Sequence, residues 1–155
     1  MGILAKVRIQ VLAAAILTLV AGMASAQQRE WEKQQLALFQ QHAGEPIKQF
    51  PMFYLWEWQV LGPEQLAVWA TLHDVYLLRV DKACNNLLWT HALSVTQEMS
   101  QKVTQKFDFV VFRNQRCKIE EIRPIDYEAM LKDGYRPPNA TDHKAEPGAQ
   151  ASGGT

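Results

Sequence analysis

The spacing of apolar residues changes along the chain, and each period predicts an element. Residues 29–42, REWEKQQLALFQQH, hold no Gly or Pro, and Trp31, Gln35, Leu38 and His42 share a stripe with Leu36 and Phe39 beside it. This is an amphipathic helix, ended at AGEP by Gly44 as the C-terminal cap and by Pro46, which cannot continue it. From Phe53 the period falls to two: Tyr54, Trp56, Trp58 and Val60 face one way, Leu55, Glu57 and Gln59 the other. The turn LGPE leads to QLAVWAT and VYLLRV, apolar runs around LHD that predict a hairpin. After the turn DKACNN, LLWTHALSVT reads as a strand, QEMSQ connects it to KVTQKFDFVVF, and RNQR is a tight connection into CKIEEIRPI.

Regularity breaks in KIEEIRP. Ile119 and Ile122 have opposite parity, so either a bulge re-aims the chain or the strand stops at Glu120, and Pro124 ends it in either case. Asp126 is then a good N-cap for a short helix that finishes before Gly134. Helical crossovers between the strands are missing, which disfavours parallel βαβ units. The expected fold is α+β: an antiparallel β-meander of five to six strands with an N-terminal amphipathic helix and a short C-terminal helix.

Both ends of the chain depart from this pattern. Residues 1–26 carry Lys6 and Arg8, then the apolar run VLAAAILTLVAGM, then small residues up to Ala26, as in a secretory signal peptide. The apolar run is short of the roughly 20 residues a membrane-spanning helix needs, so the expectation is cleavage after Ala26 and no membrane span thereafter. From Arg136 the composition turns to Pro, Gly, Ala, Ser and charge without apolar period, as in a disordered tail. Residues 27–135 are left as a single domain.

Charge narrows the partners. The chain has 16 basic and 16 acidic residues; losing Lys6 and Arg8 leaves 14 against 16, a net charge of about −2. No basic surplus or stripe is present to bind nucleic acid, nor a polybasic segment to bind an anionic membrane surface. In a periplasmic or secreted protein, Cys84 and Cys117, with no third cysteine, are most simply one disulfide. A redox pair would show C-x-x-C spacing, and zinc-ligand spacings are absent.

Candidate chemistry is sparse. Tyr54, Trp56 and Trp58 form an aromatic face that suits stacking against sugar rings or an apolar ligand, although such faces more often pack onto a core. His91 shares parity with Trp89, Leu93 and Val95, which points to a core histidine, and His73 falls in the hairpin turn with Asp74. Neither histidine has a third ligand at useful spacing, so no metal or cofactor is expected. No nucleophile motif surrounds Ser94 or Ser100, and no catalytic residue is assigned. In EEIRPID, Glu121, Arg123 and Asp126 make either a charged recognition site or a structural clamp in which the Arg123 fork locks the last strand onto the helix. The clamp is favoured.

The segments VYLLRVDKAC, SVT, KFD and above all RCKIEEIRPID resemble an uncharacterised family of short exported proteobacterial proteins, catalogued only as a domain of unknown function. The matching positions are Leu77, Cys84, Thr96, Phe107, Asp108, Cys117, Ile119, Glu121, Ile122, Arg123, Pro124 and Asp126. The resemblance implies export and a cysteine pair, and transfers no catalytic residue. The reading that results is a non-catalytic periplasmic binding or envelope-accessory module, its partner an envelope protein or a small ligand. The rival is an envelope enzyme or inhibitor using Glu121, Arg123 and Asp126, with Asp108 as a further member.

Overall fold

The computed structural model describes residues 27, 29–84, 87–98 and 101–137. The leader expected over 1–26 and nearly all of the tail expected from 136 lie outside these residues. Helix α1 covers 29–41. Eight strands follow among the described residues: β1 (Gln49–Pro51), β2 (Glu57–Val60), β3 (Gln65–Trp69), β4 (Val75–Val80), β5 (Ser94–Val95), β6 (Lys102–Thr104), β7 (Phe109–Phe112) and β8 (Gln115–Ile125). Helix α2 (Tyr127–Lys132) comes last. Six strands form one sheet in the order β2-β3-β4-β8-β7-β5, with every neighbouring pair antiparallel, and β1 pairs β6 in a separate ribbon. The α+β class expected from the sequence is the one observed.

The sheet buries both faces, which explains why the expected hairpin strands are almost continuously apolar. Alternate residues point to opposite sides. Leu66 and Val68 of β3 and Leu78 and Val80 of β4 join Phe50, Met52, Val103, Phe112 and Ile122 in one core. Ala67, Trp69, Val75 and Leu77 point the other way, into a second core with Phe39 of α1 and Tyr127, Met130 and Tyr135 around α2. Each fully buried side chain of this kind contributes about 1.5–3 kcal/mol. On α1 the buried centre is Phe39, with Leu36 and Leu38 half-buried. Trp31, expected on the inward stripe, is exposed.

β8 settles the alternatives left open in KIEEIRP. Arg79 pairs Glu121 but Val80 pairs Ile119, so Glu120 is an extra residue, a bulge. The bulge restores parity, and Ile119 and Ile122 both enter the first core. Pro124 does not end the strand, which continues to Ile125. Ile122 and Pro124 turn their carbonyls away from β4, to the N–H groups of Ile47 and Gly44 at 2.9 and 2.8 Å. The missing Pro124 N–H therefore lies on the side where no β4 carbonyl waits for it, the arrangement that lets a sheet hold proline.

Three other expectations are corrected. Gly44 is not a left-handed cap: it has no positive φ, and an added Cβ would sit 3.2 Å from Pro124 Cγ. Close approach is its reason. LLWTHALSVT is not one strand. Leu87–Trp89 is a 3-10 turn and only Ser94–Val95 is extended, because Thr90 N–H bonds the Leu87 carbonyl and its hydroxyl donates to Ala92 O at 2.8 Å. His91 and Trp89 are consequently exposed rather than core residues. The other local expectations hold: Asp126 Oδ1 accepts from Ala129 N–H at 3.0 Å as the N-cap of α2, and Gly134 takes φ +95° just after it.

The Cys84–Cys117 disulfide ties the turn after β4 to β8, with Cys117 fully buried. Closing 33 residues should stabilise the fold by about 3–4 kcal/mol in the chain-entropy account. Reduction should lower the urea midpoint accordingly, and intact mass should show thiol labelling only after reduction.

Beyond α2, Tyr135 lies in the second core and its hydroxyl donates to Gln59 Oε1 at 2.7 Å, tying the chain end to β2. Burial raises its pKa well above the phenol range, and the charges of Tyr127 and Glu57 add to this. Burial likewise raises Tyr127. A folded pKa above the unfolded value means that this stabilisation is complete below about pH 10 and is lost as pH rises beyond it. Unfolding followed by tyrosinate absorbance should therefore set in above about pH 10, and Tyr135→Phe should shift that onset upward while costing about 0.5–1.5 kcal/mol at neutral pH.

Candidate functional site

β2 and β5 are the two ends of the six-stranded sheet, yet they line one groove. Trp56, Glu57 and Trp58 form one wall and Leu93, Ser94, Val95 and Gln97 the other, with Met52 and Leu55 completing a space of about 560 Å³. The local sequence accounts for the walls. Trp58 and Val60 alternate inward from β2 and pack against the first core, as Leu93 and Val95 do from the opposite side.

The expectation that the aromatic face packs onto the core is met by Trp58 and fails for its neighbours. Tyr54 and Trp56 precede the strand and are 60 % and 50 % exposed. Their rings lie 5.8 Å apart between centroids and are tilted by 39°. Phe53, beside them, is exposed as well. Aromatic surface left in water next to a groove can stack on planar or CH-rich ligand surfaces.

The segment EEIRPID is divided by the fold. Glu121 accepts from Arg123 Nε at 2.9 Å and from Arg79 Nη2 at 3.1 Å. Arg123 thus clamps within β8 and, through Glu121, across to β4, rather than fastening the strand to the helix. Asp126 is absent from this cluster because its carboxylate caps α2. The three clustered side chains are each about a third exposed, so solvent screening keeps each pair to about 0–1 kcal/mol. Arg79 was missed in the sequence, where the available signal was an arginine inside the apolar run VYLLRV; its register opposite Glu121 is set by the pairing of β4 with β8, which are remote in sequence.

Asp108, the further member of the rival site, is fully buried. Its carboxylate accepts from Thr96 Oγ1 at 2.8 Å, Glu98 N–H at 2.9 Å and Thr104 N–H at 2.7 Å. Thr96 Oγ1 in turn accepts from Phe109 N–H at 2.9 Å. This network pins three segments of chain around β7 and leaves the carboxylate closed to any substrate. The histidines do not converge on a metal site: His73 lies in the exposed β3–β4 turn, and among the described residues no three His, Cys, Asp or Glu side chains are grouped to hold an ion. His42 instead places Nε2 3.1 Å from Asp133 Oδ2, linking the ends of α1 and α2, though not in hydrogen-bond alignment.

Removing the Asp108 carboxylate strands three donors in the interior, each at a cost of about 1–3 kcal/mol. Asp108→Ala should therefore lower stability in urea melts by more than about 3 kcal/mol. Thr96→Val, which leaves the carboxylate two of its bonds, should cost about half as much.

No curated protein and no solved structure matches the chain. A family match covers residues 6–133, a span that includes the groove, the disulfide, the Asp108 network and the Arg79–Glu121–Arg123 cluster. On that match, the chain belongs to the family of unknown function DUF6491.

Proposed function

We propose that the protein is a non-catalytic, exported binding module of the cell envelope, and that the groove between β2 and β5 is its ligand site. One observation carries the reading: half-exposed Trp56 and exposed Tyr54 stand beside a groove whose deeper wall is Trp58. Leaving such rings in water forgoes burial worth about 1.5–3 kcal/mol apiece, and contiguous exposed apolar surface marks interaction sites. The disulfide suits an oxidising compartment, and the charged start, apolar run and small residues up to Ala26 suit processing on the way there. No described helix is long and apolar enough to cross a membrane.

The rival reading, an envelope enzyme or inhibitor built on Glu121, Arg123 and Asp126, has less support because Asp126 is engaged in capping and Asp108 in the core.

Two soluble probes test the proposal: cellotetraose, and an acetylated, amidated hexapeptide alternating lysine and valine. At least one should shift the amide resonances of Trp56, Trp58, Ser94 and Val95 and quench tryptophan fluorescence. Trp56→Ala should weaken that binding about tenfold, equivalent to about 1.4 kcal/mol, without changing the melting temperature. If both probes leave the groove resonances unmoved, the groove is not the ligand site.

A further inference from the structure

The ribbon of β1 and β6 stands apart from the six-stranded sheet and has two unlike faces. Phe50 and Val103, paired across it, are buried in the first core together with Met52. The alternate positions Gln49, Pro51 and Phe53 are exposed, as is Lys102, the partner of Pro51. Pairing runs past both ends: Met52 N–H bonds the Gln101 carbonyl and Gln105 N–H the Lys48 carbonyl, each at 2.8 Å. Lys106 and Phe107 follow on the turn into β7, and both are exposed. Phe53 and Phe107 leave two thirds of their surface in water.

Charge on this ribbon is one-sided. Residues 46–56 and 101–107 contain Lys48, Lys102 and Lys106 but no Asp or Glu, in a chain whose basic and acidic residues balance at 16 each. None of the three ammonium groups forms an ion pair with a described residue. That includes Glu120, which adjoins Lys106 through the bond from Lys106 N–H to Ile119 O. Lys48 and Lys102 are remote in sequence, so strand pairing gathers a basic face that no polybasic segment announces.

We propose that the exposed side of the β1–β6 ribbon docks the protein on an anionic lipid bilayer. Phe53 and Phe107 enter at the boundary of headgroups and hydrocarbon, and Lys48, Lys102 and Lys106 meet the lipid phosphates. This surface is independent of the groove. Phenylalanine has no polar handle, so its exposed ring suits an apolar layer rather than a wet contact. Lysine fits beside it, because its stem covers apolar surface while the ammonium stays at headgroup level. Protein–protein interfaces, by contrast, are depleted in lysine and favour arginine. The backbone presents the rings firmly. Asp108 Oδ2 accepts from Thr104 N–H at 2.7 Å and Asp108 N–H bonds Thr104 O at 2.9 Å, which closes the turn that carries Phe107.

The test uses protein recovered from the cell envelope, its N-terminus fixed by intact mass, sedimented with two kinds of vesicle. Binding should appear with mixed phosphatidylglycerol and phosphatidylcholine, be weak with phosphatidylcholine alone, and fall as salt rises. Each lysine near such a surface adds about fivefold in affinity, so the triple variant Lys48→Gln, Lys102→Gln, Lys106→Gln should bind about a hundredfold more weakly. Phe53→Ser and Phe107→Ser should each weaken binding about tenfold or more, with melting temperatures unchanged. Spin-labelled lipid should broaden the Phe53 and Phe107 resonances before those of Ser94 and Val95 in the groove. Equal binding to both vesicles, or binding unaltered in the triple variant, would overturn the proposal. So would failure to bind either vesicle. If hexaglutamate shifts the Lys102 resonance while anionic vesicles do not bind, an acidic polypeptide is the occupant and the lipid proposal fails.

Discussion

The fold depends on the pairing of β8. This 11-residue strand lies between β4 and β7, and its middle is spliced by the Glu120 bulge. Before the bulge it carries Cys117 and Ile119 into the first core; after it, Ile122 returns to that core while Ile125 reaches the second. Its carbonyls also receive the segments that flank the sheet: Ile47 at Ile122, Gly44 at Pro124 and Lys106 at Ile119. Remove β8 and the β2-β3-β4 meander is parted from the β7-β5 pair.

The second organising element is the Asp108 carboxylate. A buried charge is tolerated only where hydrogen bonds replace its lost hydration, and here one hydroxyl and two backbone N–H groups do so. The consequence is local rigidity where the sequence predicts little regular structure. The 96–98 segment, which forms part of one groove wall, is held by this network rather than by a long strand, so the scaffold behind the groove is stiff although β5 has only two residues.

Much of the architecture was legible because it is written in local chemistry. The Asp126 cap, the Gly134 turn and the hairpin around LHD are decided by residues within a few positions of one another. The cysteine pair was legible by elimination. What could not be read was decided at a distance or by competition. Gly44 looks like a helix cap because its partner, Pro124, is remote in sequence. LLWTHALSVT has strand composition, but Thr90 offers its backbone a nearer set of bonds. The aromatic run YLWEW has one period yet two fates, since β2 begins at Glu57 and Tyr54 and Trp56 precede it. Of the charged candidates, Glu121 and Arg123 do meet. Asp126 is taken by the helix, and Arg79 joins through a cross-strand register between β4 and β8, 42 positions apart in sequence.

The late position of β8 also shapes how the molecule comes into being. β4 is complete at Val80, but the strand that covers its open edge, β8, ends only at Ile125, so the β2-β3-β4 part of the sheet has nothing to close upon until β8 is available. Non-local pairing of this kind forms slowly. The slow step in assembling this sheet is therefore the arrival of one strand, β8, between two parts that can each pair locally, rather than the making of either part.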